Sequence, residues 1–400
     1  MKLVFVTTTY PPIVGGAETY VQQFATHLAH HHHDVSVITR CHHQRPHPLQ
    51  RTFTYAEPSS SAVEDGVRVH TIGLSSADKL LLAPVYRLHF YRPTVSTAIV
   101  MAEHVYGRRL EETGLVPDVV HYNGTGRELL GQAALRWARR HGAQFVVIPH
   151  THPGTWGDSE RDISFYKKAD AVFIDTQHEL AYLKSRGIPA DRCRIVGNGI
   201  APSEWTTLEA QAASLRERYT LRRFVVLFVG RRSSAKGYRQ FLAAAPLVWR
   251  ELTDVSFCLV GPPVTDEPSD GEPIMSDPRI CDLGTVSEEV KHEALAACDI
   301  LCLPSAQESF GRVVLEAWLH KKPVVAGPAP ALVEVVADGG ITLHTQSPEE
   351  IAAAIVRLLR DDVARQTLGQ RGYDHVQRRY HWRHVVARAE EVYATGRGRA

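Results

Sequence analysis

Short uninterrupted apolar runs, each followed by a longer stretch with apolar residues every three or four positions, recur in two series along this 400-residue chain. In the first half the runs are residues 3–7, 35–39, 67–72, 119–122, 145–148, 171–174 and 194–196. A run without polar alternation predicts a strand buried on both faces, and helices between such strands predict a parallel sheet covered on each side. From 199 to 209 the rhythm pauses at Pro202 and a polar, helix-prone stretch, which predicts a linker. It restarts with residues 224–229, then 256–260, 280–283, 300–303, 323–326 and 341–343. The expected fold class is α/β: two doubly wound domains, with a cleft between the carboxyl ends of their sheets, where such sheets bind ligands. Two polar stretches, 41–66 and 262–278, interrupt the pattern and predict long loops, either lids or plain surface.

Composition narrows the function classes. Lys and Arg total 45 against 44 Asp and Glu, so no global field selects nucleic acid as the partner. The six cysteines (Cys41, Cys193, Cys258, Cys281, Cys298, Cys302) form no Cys-x-x-Cys pair, and several fall inside apolar elements. They are expected to be reduced core residues of a cytoplasmic protein. The opening apolar run is too short for a signal peptide and reads as a first strand. No run approaches the ~18 apolar residues of a membrane-spanning helix.

The densest candidate chemistry lies where the strand at 300–303 gives way to a helix near Val313. Glu308 stands in the loop and Glu316 on the helix, eight residues on. Eight residues of helix turn by about 80° and climb about 12 Å, which lets the pair address one elongated ligand at two depths. Between them Phe310, Gly311 and Arg312 occupy a helix N-terminus, whose free N–H groups favour an anion. Hydroxyls, a diphosphate and further hydroxyls, as in a sugar nucleotide, suit that order. An acidic helix with a solvated first glutamate fits the pair equally well by itself.

Other strand ends add to the first reading. The loop after the strand at 224–229 is Gly230-Arg231-Arg232-Ser233-Ser234-Ala235-Lys236-Gly237, in which Arg231 and Lys236 can converge on one diphosphate or remain solvated. It matches no Walker pattern. After the first strand, Gly15-Gly16 lets backbone approach a ligand ahead of a helix from about Thr19 to Ala29, without the dinucleotide Gly-x-Gly-x-x-Gly fingerprint. His150 ends the strand at 145–148 and can bond a sugar hydroxyl; His152 shares its face in an extended segment, but no spacing supplies a third zinc ligand. The run His30 to His33 is expected to be a solvated helix end.

Taken together, Gly15-Gly16-Ala17-Glu18, His150, Ala169-Asp170-Ala171-Val172, Gly197-Asn198-Gly199-Ile200, Gly230-Arg231 with Lys236-Gly237, Leu283-Gly284-Thr285-Val286 and the two-glutamate motif resemble a retaining GT-B glycosyltransferase of family 4 over nearly the whole chain. The resemblance implies two Rossmann-like domains, 1–203 for the acceptor and 204–378 for the nucleotide sugar, and a segment 379–400 around Tyr380-His381-Trp382 that crosses back to the first. Arg231 and Lys236 match the family's cations on the donor diphosphate, and Gly16 the glycine whose backbone approaches those phosphates. Glu316 matches the glutamate that holds the donor ribose, Glu308 the one beside the donor sugar, and His150 a histidine near the reacting centre. The implied donor-binding set is Gly15, Gly16, Arg231, Lys236, Val286, Glu308, Ser309, Phe310, Gly311, Arg312, Val313 and Glu316; the implied catalytic set is His150, Glu308, Arg231 and Lys236. It further implies a UDP- or GDP-sugar as donor substrate, retention by front-face attack, and no metal or other cofactor. The chain departs from the family's pattern at Ala201, where Asp is frequent, and at Gly327-Pro328-Ala329-Pro330-Ala331, in place of a Gly-Gly turn.

On the acceptor side, residues 80–86 with Arg87, Arg92, Arg108 and Arg109 fit either peripheral contact with the inner membrane face, reaching a lipid-linked acceptor, or the inner face of a helix with Leu81, Val85 and Leu88 inward. Hexosyl transfer to a hydroxyl on a glycan, a lipid-linked saccharide or a small molecule is the leading function. The alternatives are an epimerase or glycoside phosphorylase on the same fold and a noncatalytic sugar-nucleotide binder.

Overall fold

The computed structural model describes residues 1–13, 15–43, 53–89, 91, 93–201, 208–263 and 273–396. Val14, Arg92, the middle of the 41–66 stretch, Pro202 with most of the expected linker, and most of 262–278 lie outside the described residues. The chain divides into two compact units, Met1–Gly199 with Trp382–Ala400, and Ile200–His381.

The first unit holds strands β1 (Lys2–Thr9), β2 (Asp34–Cys41), β3 (Ser60–Glu64), β4 (Val67–Thr71), β5 (Val119–Asn123), β6 (Gln144–Ile148), β7 (Ala171–Ile174) and β8 (Cys193–Ile195) in one sheet, ordered β3-β4-β2-β1-β5-β6-β7-β8. Every pairing is parallel except β3 with β4. The polar stretch expected to be all loop therefore contains a strand. Asp65 and Gly66 both take positive φ, 47° and 79°, and close a two-residue hairpin. The order reverses between β1 and β5, the switch point at whose carboxyl edge such sheets bind ligands.

The second unit holds β9 (Phe224–Val229), β10 (Val255–Val260), β11 (Ile280–Gly284), β12 (Ile300–Leu303), β13 (Val324–Ala326) and β14 (Gly340–Thr342), all parallel, ordered β11-β10-β9-β12-β13-β14. Its reversal falls between β9 and β12. The unbroken apolar run of β9 has a simple cause: Val225 and Leu227 enter the core on one face with Trp318 and Leu315, while Val226 and Phe228 enter the other with Phe241 and Phe257.

The C-terminal helix Trp382–Gly396 belongs to the first unit. Trp382 is fully buried, stacked on Phe24 and His27, and donates its Nε1–H to Gln23 at 3.1 Å. A Cβ on Gly199 would stand 2.3 Å from that ring, so glycine is required there for lack of room. The histidine run is not merely solvated: His31 Nδ1 and His33 Nε2 reach Glu390 of this helix at 3.6 and 2.9 Å. The cysteines are all unpaired, five buried and Cys281 half-buried. Among the described residues no helix is long and apolar enough to cross a membrane.

Candidate functional site

In the second unit the loops leaving β9 and β12 are stitched together at the switch point. Ala306 N–H donates to the Ala235 carbonyl at 3.0 Å, and Ser305 Oγ to the same oxygen at 3.2 Å. Lys236 ends a 3₁₀ turn, Ser234–Lys236, which Gly237 closes at φ 72° with no room for a Cβ, since the Pro304 carbonyl oxygen would lie 2.3 Å away. This packing places Lys236 Nζ 2.5 Å from Glu308 Oε1, an ion pair between residues 72 apart in sequence. Arg231 leaves the same loop with its side chain exposed, and Arg232, its neighbour, is bound instead to Asp282.

The helix at the motif runs Arg312–Leu319. Phe310, expected at its N-terminus, is a buried side chain outside it, edge-on to Tyr380 at 5.6 Å. Gly311 caps the helix at φ 85°, and a Cβ there would stand 2.3 Å from Leu332 Cδ2. Ser309, Arg312 and Val313 are half-buried around this turn, and Val286 is half-buried beyond β11, packed on the same core face.

Glu316 is 5% exposed and sits between Lys291 Nζ at 3.0 Å and Arg312 Nε at 3.3 Å. Burial alone would raise its pKa, but Lys291 and then Arg312 overrule burial and draw it down to about 2. It is a fixed anion, able only to accept. Glu288, His292 and Glu316 also bring three potential metal-ligand atoms within 4.8 Å of one another. Lys291 Nζ, 2.7 Å from Glu288 and 3.0 Å from Glu316, already supplies the cation among them. Sequence reasoning missed Lys291, which stands on the helix Glu288–Ala297.

In the first unit Gly15 is extended and precedes the helix Gly16–His30, which starts before the expected Thr19; nothing lies within 4 Å of an ideal Cβ on Gly16. His150 follows β6 in the left-handed region, φ 47°. Its Nε2 meets Asn123 Oδ1 at 2.9 Å and its Nδ1 meets Asp175 Oδ2 at 3.3 Å, with Tyr20 edge-on at 5.1 Å. The backbone around it is held by Glu179, which accepts from the amides of Thr151 and Asp175, both at 3.0 Å. Burial opposes charge on His150, yet Asp175, Glu179 and Glu18 carry its pKa above the ordinary value. His152 turns away, Nδ1 on the His150 carbonyl at 3.1 Å, so the two rings do not share a ligand position. Asn123 and Asp175 were not singled out, although the first ends β5 and the second directly follows β7, at the edge where parallel sheets bind ligands.

Near residues 80–86, Leu82 and Val85 are buried, whereas Leu81, inward only on the helix-packing alternative, is exposed together with Leu80 and Tyr86. Arg108 and Arg109 both pair with Asp78, a fully buried carboxylate.

The molecule has recognisable relatives. Residues 15–199 match the family model of the glycosyl transferase 4-like domain and residues 223–361 that of glycosyl transferases group 1. Over 426 aligned positions, covering 98% of each chain, the protein is 23% identical to an uncharacterized glycosyltransferase of Methanocaldococcus jannaschii. Sucrose-phosphate synthase from Thermosynechococcus elongatus superposes with a TM-score of 0.75 at 20% identity over 100% of both chains. The Anabaena protein HepE, solved in complex with UDP-glucose, does so with 0.71 at 19% identity, again over 100% of both. At these identities the structural likeness is one of fold.

Proposed function

Since the chain belongs to the group 1 glycosyl transferases of family 4 type, on the GT-B fold, we propose that it moves a sugar from a nucleoside-diphosphate sugar to a hydroxyl acceptor with retention at the anomeric carbon. The observation that carries the donor side is the Lys236–Glu308 pair, 2.5 Å apart where the sheet order reverses, with Arg231 on the same loop. HepE, of the same fold, was solved with UDP-glucose, which makes a UDP-sugar the first donor to test.

In the proposed step the bond from the anomeric carbon to the diphosphate oxygen breaks while the acceptor oxygen bonds to that carbon on the same face. The acceptor proton passes to the departing phosphate, so no protein base is consumed. Negative charge grows on the diphosphate, and Arg231 and Lys236 answer it without reorganising solvent; one such donor commonly contributes about 3 to 4 kcal/mol to the transition state. Glu316, held ionised, accepts from the ribose hydroxyls, and Glu308 accepts from the sugar. Asp175 and Asn123 set the imidazole plane of His150 beside the acceptor. These cations perform the neutralisation that a divalent metal performs elsewhere, so activity is expected to persist in EDTA.

A thermal-shift panel of UDP-, GDP-, ADP- and TDP-sugars tests the assignment. A donor at 100 times its Kd raises apparent stability by about 2.7 kcal/mol. One nucleotide class should raise the midpoint of the wild type and fail to do so in the Arg231→Gln, Lys236→Gln double variant. Equal shifts in both proteins, or none in either, would overturn the donor site; binding without transfer or hydrolysis would reduce the protein to a binder.

A further inference from the structure

The loops after β5 and β6 carry a second concentration of positive charge that donor binding does not use. Arg127 lies in the short turn Gly126–Glu128 beyond β5, and Arg161 on the helix Glu160–Tyr166 beyond β6. The two segments touch, since a Cβ on Gly126 would stand 3.0 Å from the Arg161 carbonyl oxygen. Arg161 Nη1 sits 2.9 and 3.0 Å from the two ring nitrogens of His89, a buried side chain packed edge-on to Phe53 at 5.0 Å. Burial, then Arg161 and Arg127, push His89 down to about 4, so near neutral pH it offers the guanidinium a lone pair and no charge. Burial followed by Arg127 also lowers Arg161 itself.

Among the described residues no carboxylate lies within ion-pair distance of Arg161. Asp162, its neighbour in sequence, is committed elsewhere: its oxygens accept from Ser159 N at 3.1 Å, Ser159 Oγ at 2.6 Å and Arg127 N at 3.1 Å, and it reaches the Arg127 side chain only at 3.7 Å. A half-buried guanidinium oriented by a neutral imidazole, with a second guanidinium beside it, is an arrangement short of its counter-ion.

We propose that Arg127 and Arg161 form a phosphate-monoester subsite for the acceptor, on the same carboxyl rim of the sheet that carries Asn123 and His150. Two planar forks match a dianion in charge and in geometry, whereas a carboxylate would satisfy only one of them. The assignment to the acceptor rests on the transferase reading; the anion subsite stands on the contacts above.

The test is calorimetric titration of glucose 6-phosphate, glucuronate and glucose into the full chain at low ionic strength, in an Arg231→Gln, Lys236→Gln background that silences the other anion site. Glucose 6-phosphate should bind this parent, at least tenfold more weakly after Arg161→Gln or Arg127→Gln, with circular dichroism confirming the fold. The Arg127 side chain is 64% exposed, so its replacement reports on the site even if Arg161→Gln disturbs packing. Glucuronate should bind at least tenfold more weakly than the phosphate ester, and glucose not detectably. No binding by the parent, equal binding by parent and variants, or glucuronate as tight as the ester would overturn the subsite. UDP-glucose titrated into the wild type separates the two readings: its failure with an intact Arg161-dependent phosphate signal removes the acceptor assignment, while its success without that signal removes only the subsite.

Discussion

Replacing Glu316 by Gln should expose what the buried carboxylate contributes, because the substitution keeps shape and removes only charge. The depression of Glu316 from 4.5 to about 2 corresponds to about 3 kcal/mol of stability when ionised. Its folded-state pKa lies below the unfolded one, so this contribution is complete above about pH 4.5 and disappears as pH falls through about 2. In Glu316→Gln, Lys291 keeps Glu288 at 2.7 Å, which limits the loss to that order. For a domain of this size the midpoint should drop by roughly 6 to 12 °C at pH 7. The gap between wild type and variant should shrink by roughly half or more by pH 3. Thermal unfolding followed by circular dichroism from pH 7 to pH 3 measures both. UDP-glucose should also bind about 10 to 100 times more weakly, the cost of losing hydrogen bonds to a charged acceptor. Coincident midpoints at pH 7, or a gap that stays constant down to pH 3, would refute the electrostatic account of Glu316.

Three further substitutions test candidate residues of the two units separately. Lys236→Met should lower the transfer rate about 100- to 1000-fold with the fold intact; a loss under tenfold in steady-state kinetics would remove Lys236 from the leaving-group site. Asp175→Asn should lower the His150 pKa. His150 is raised in the folded state, so the stability it adds is present below about 6.5 and lost as pH rises through its folded value; the variant's deficit should therefore be largest on the acid side, and an unmoved imidazole titration by NMR would contradict this. Gly311→Ala combines φ 85° with a Cβ 2.3 Å from Leu332 Cδ2 and should cost roughly 1 to 3 kcal/mol in chemical denaturation, so an unchanged midpoint would show that the turn relaxes freely.

Buried parallel strands were legible because both faces of each strand are covered. Val225 to Phe228 read as one apolar run because alternate residues enter opposite cores. Ser60–Glu64 was not legible by that rule: it pairs only with β4, all five residues are at least partly exposed, and its composition is that of a loop. The Asp65-Gly66 step was the local signal that favours a hairpin, and the surrounding Ser and Pro masked it. Within the site, residue types at strand ends were readable, but partnerships were not. Lys236 meets Glu308 only because β9 and β12 are neighbours, and strand order leaves no trace in periodicity. Lys291 lies on an ordinary-looking amphipathic helix, and its role exists only once that helix packs beside Arg312–Leu319. The pairings of His150 with Asp175 and Asn123 have the same origin, three adjacent strands ending at one edge.

The two glutamates of the motif are both paired with cations, yet the pairings have opposite consequences. Glu316 is held by Lys291 and Arg312, neither of which is the lysine assigned to the diphosphate, so a ligand can use its lone pairs without dismantling the support. Glu308 is bound by Lys236 itself. When that ammonium turns to a phosphate, a largely buried carboxylate is left without its partner unless another donor arrives. The hydroxyls of a sugar attached to the same diphosphate are such donors. On the proposed donor reading, the Lys236–Glu308 pair would couple occupation of the phosphate position to occupation of the sugar position, favouring the intact nucleotide sugar over the nucleotide from which the sugar has departed. That preference suits a transferase, which must capture a donor and then release its spent nucleotide.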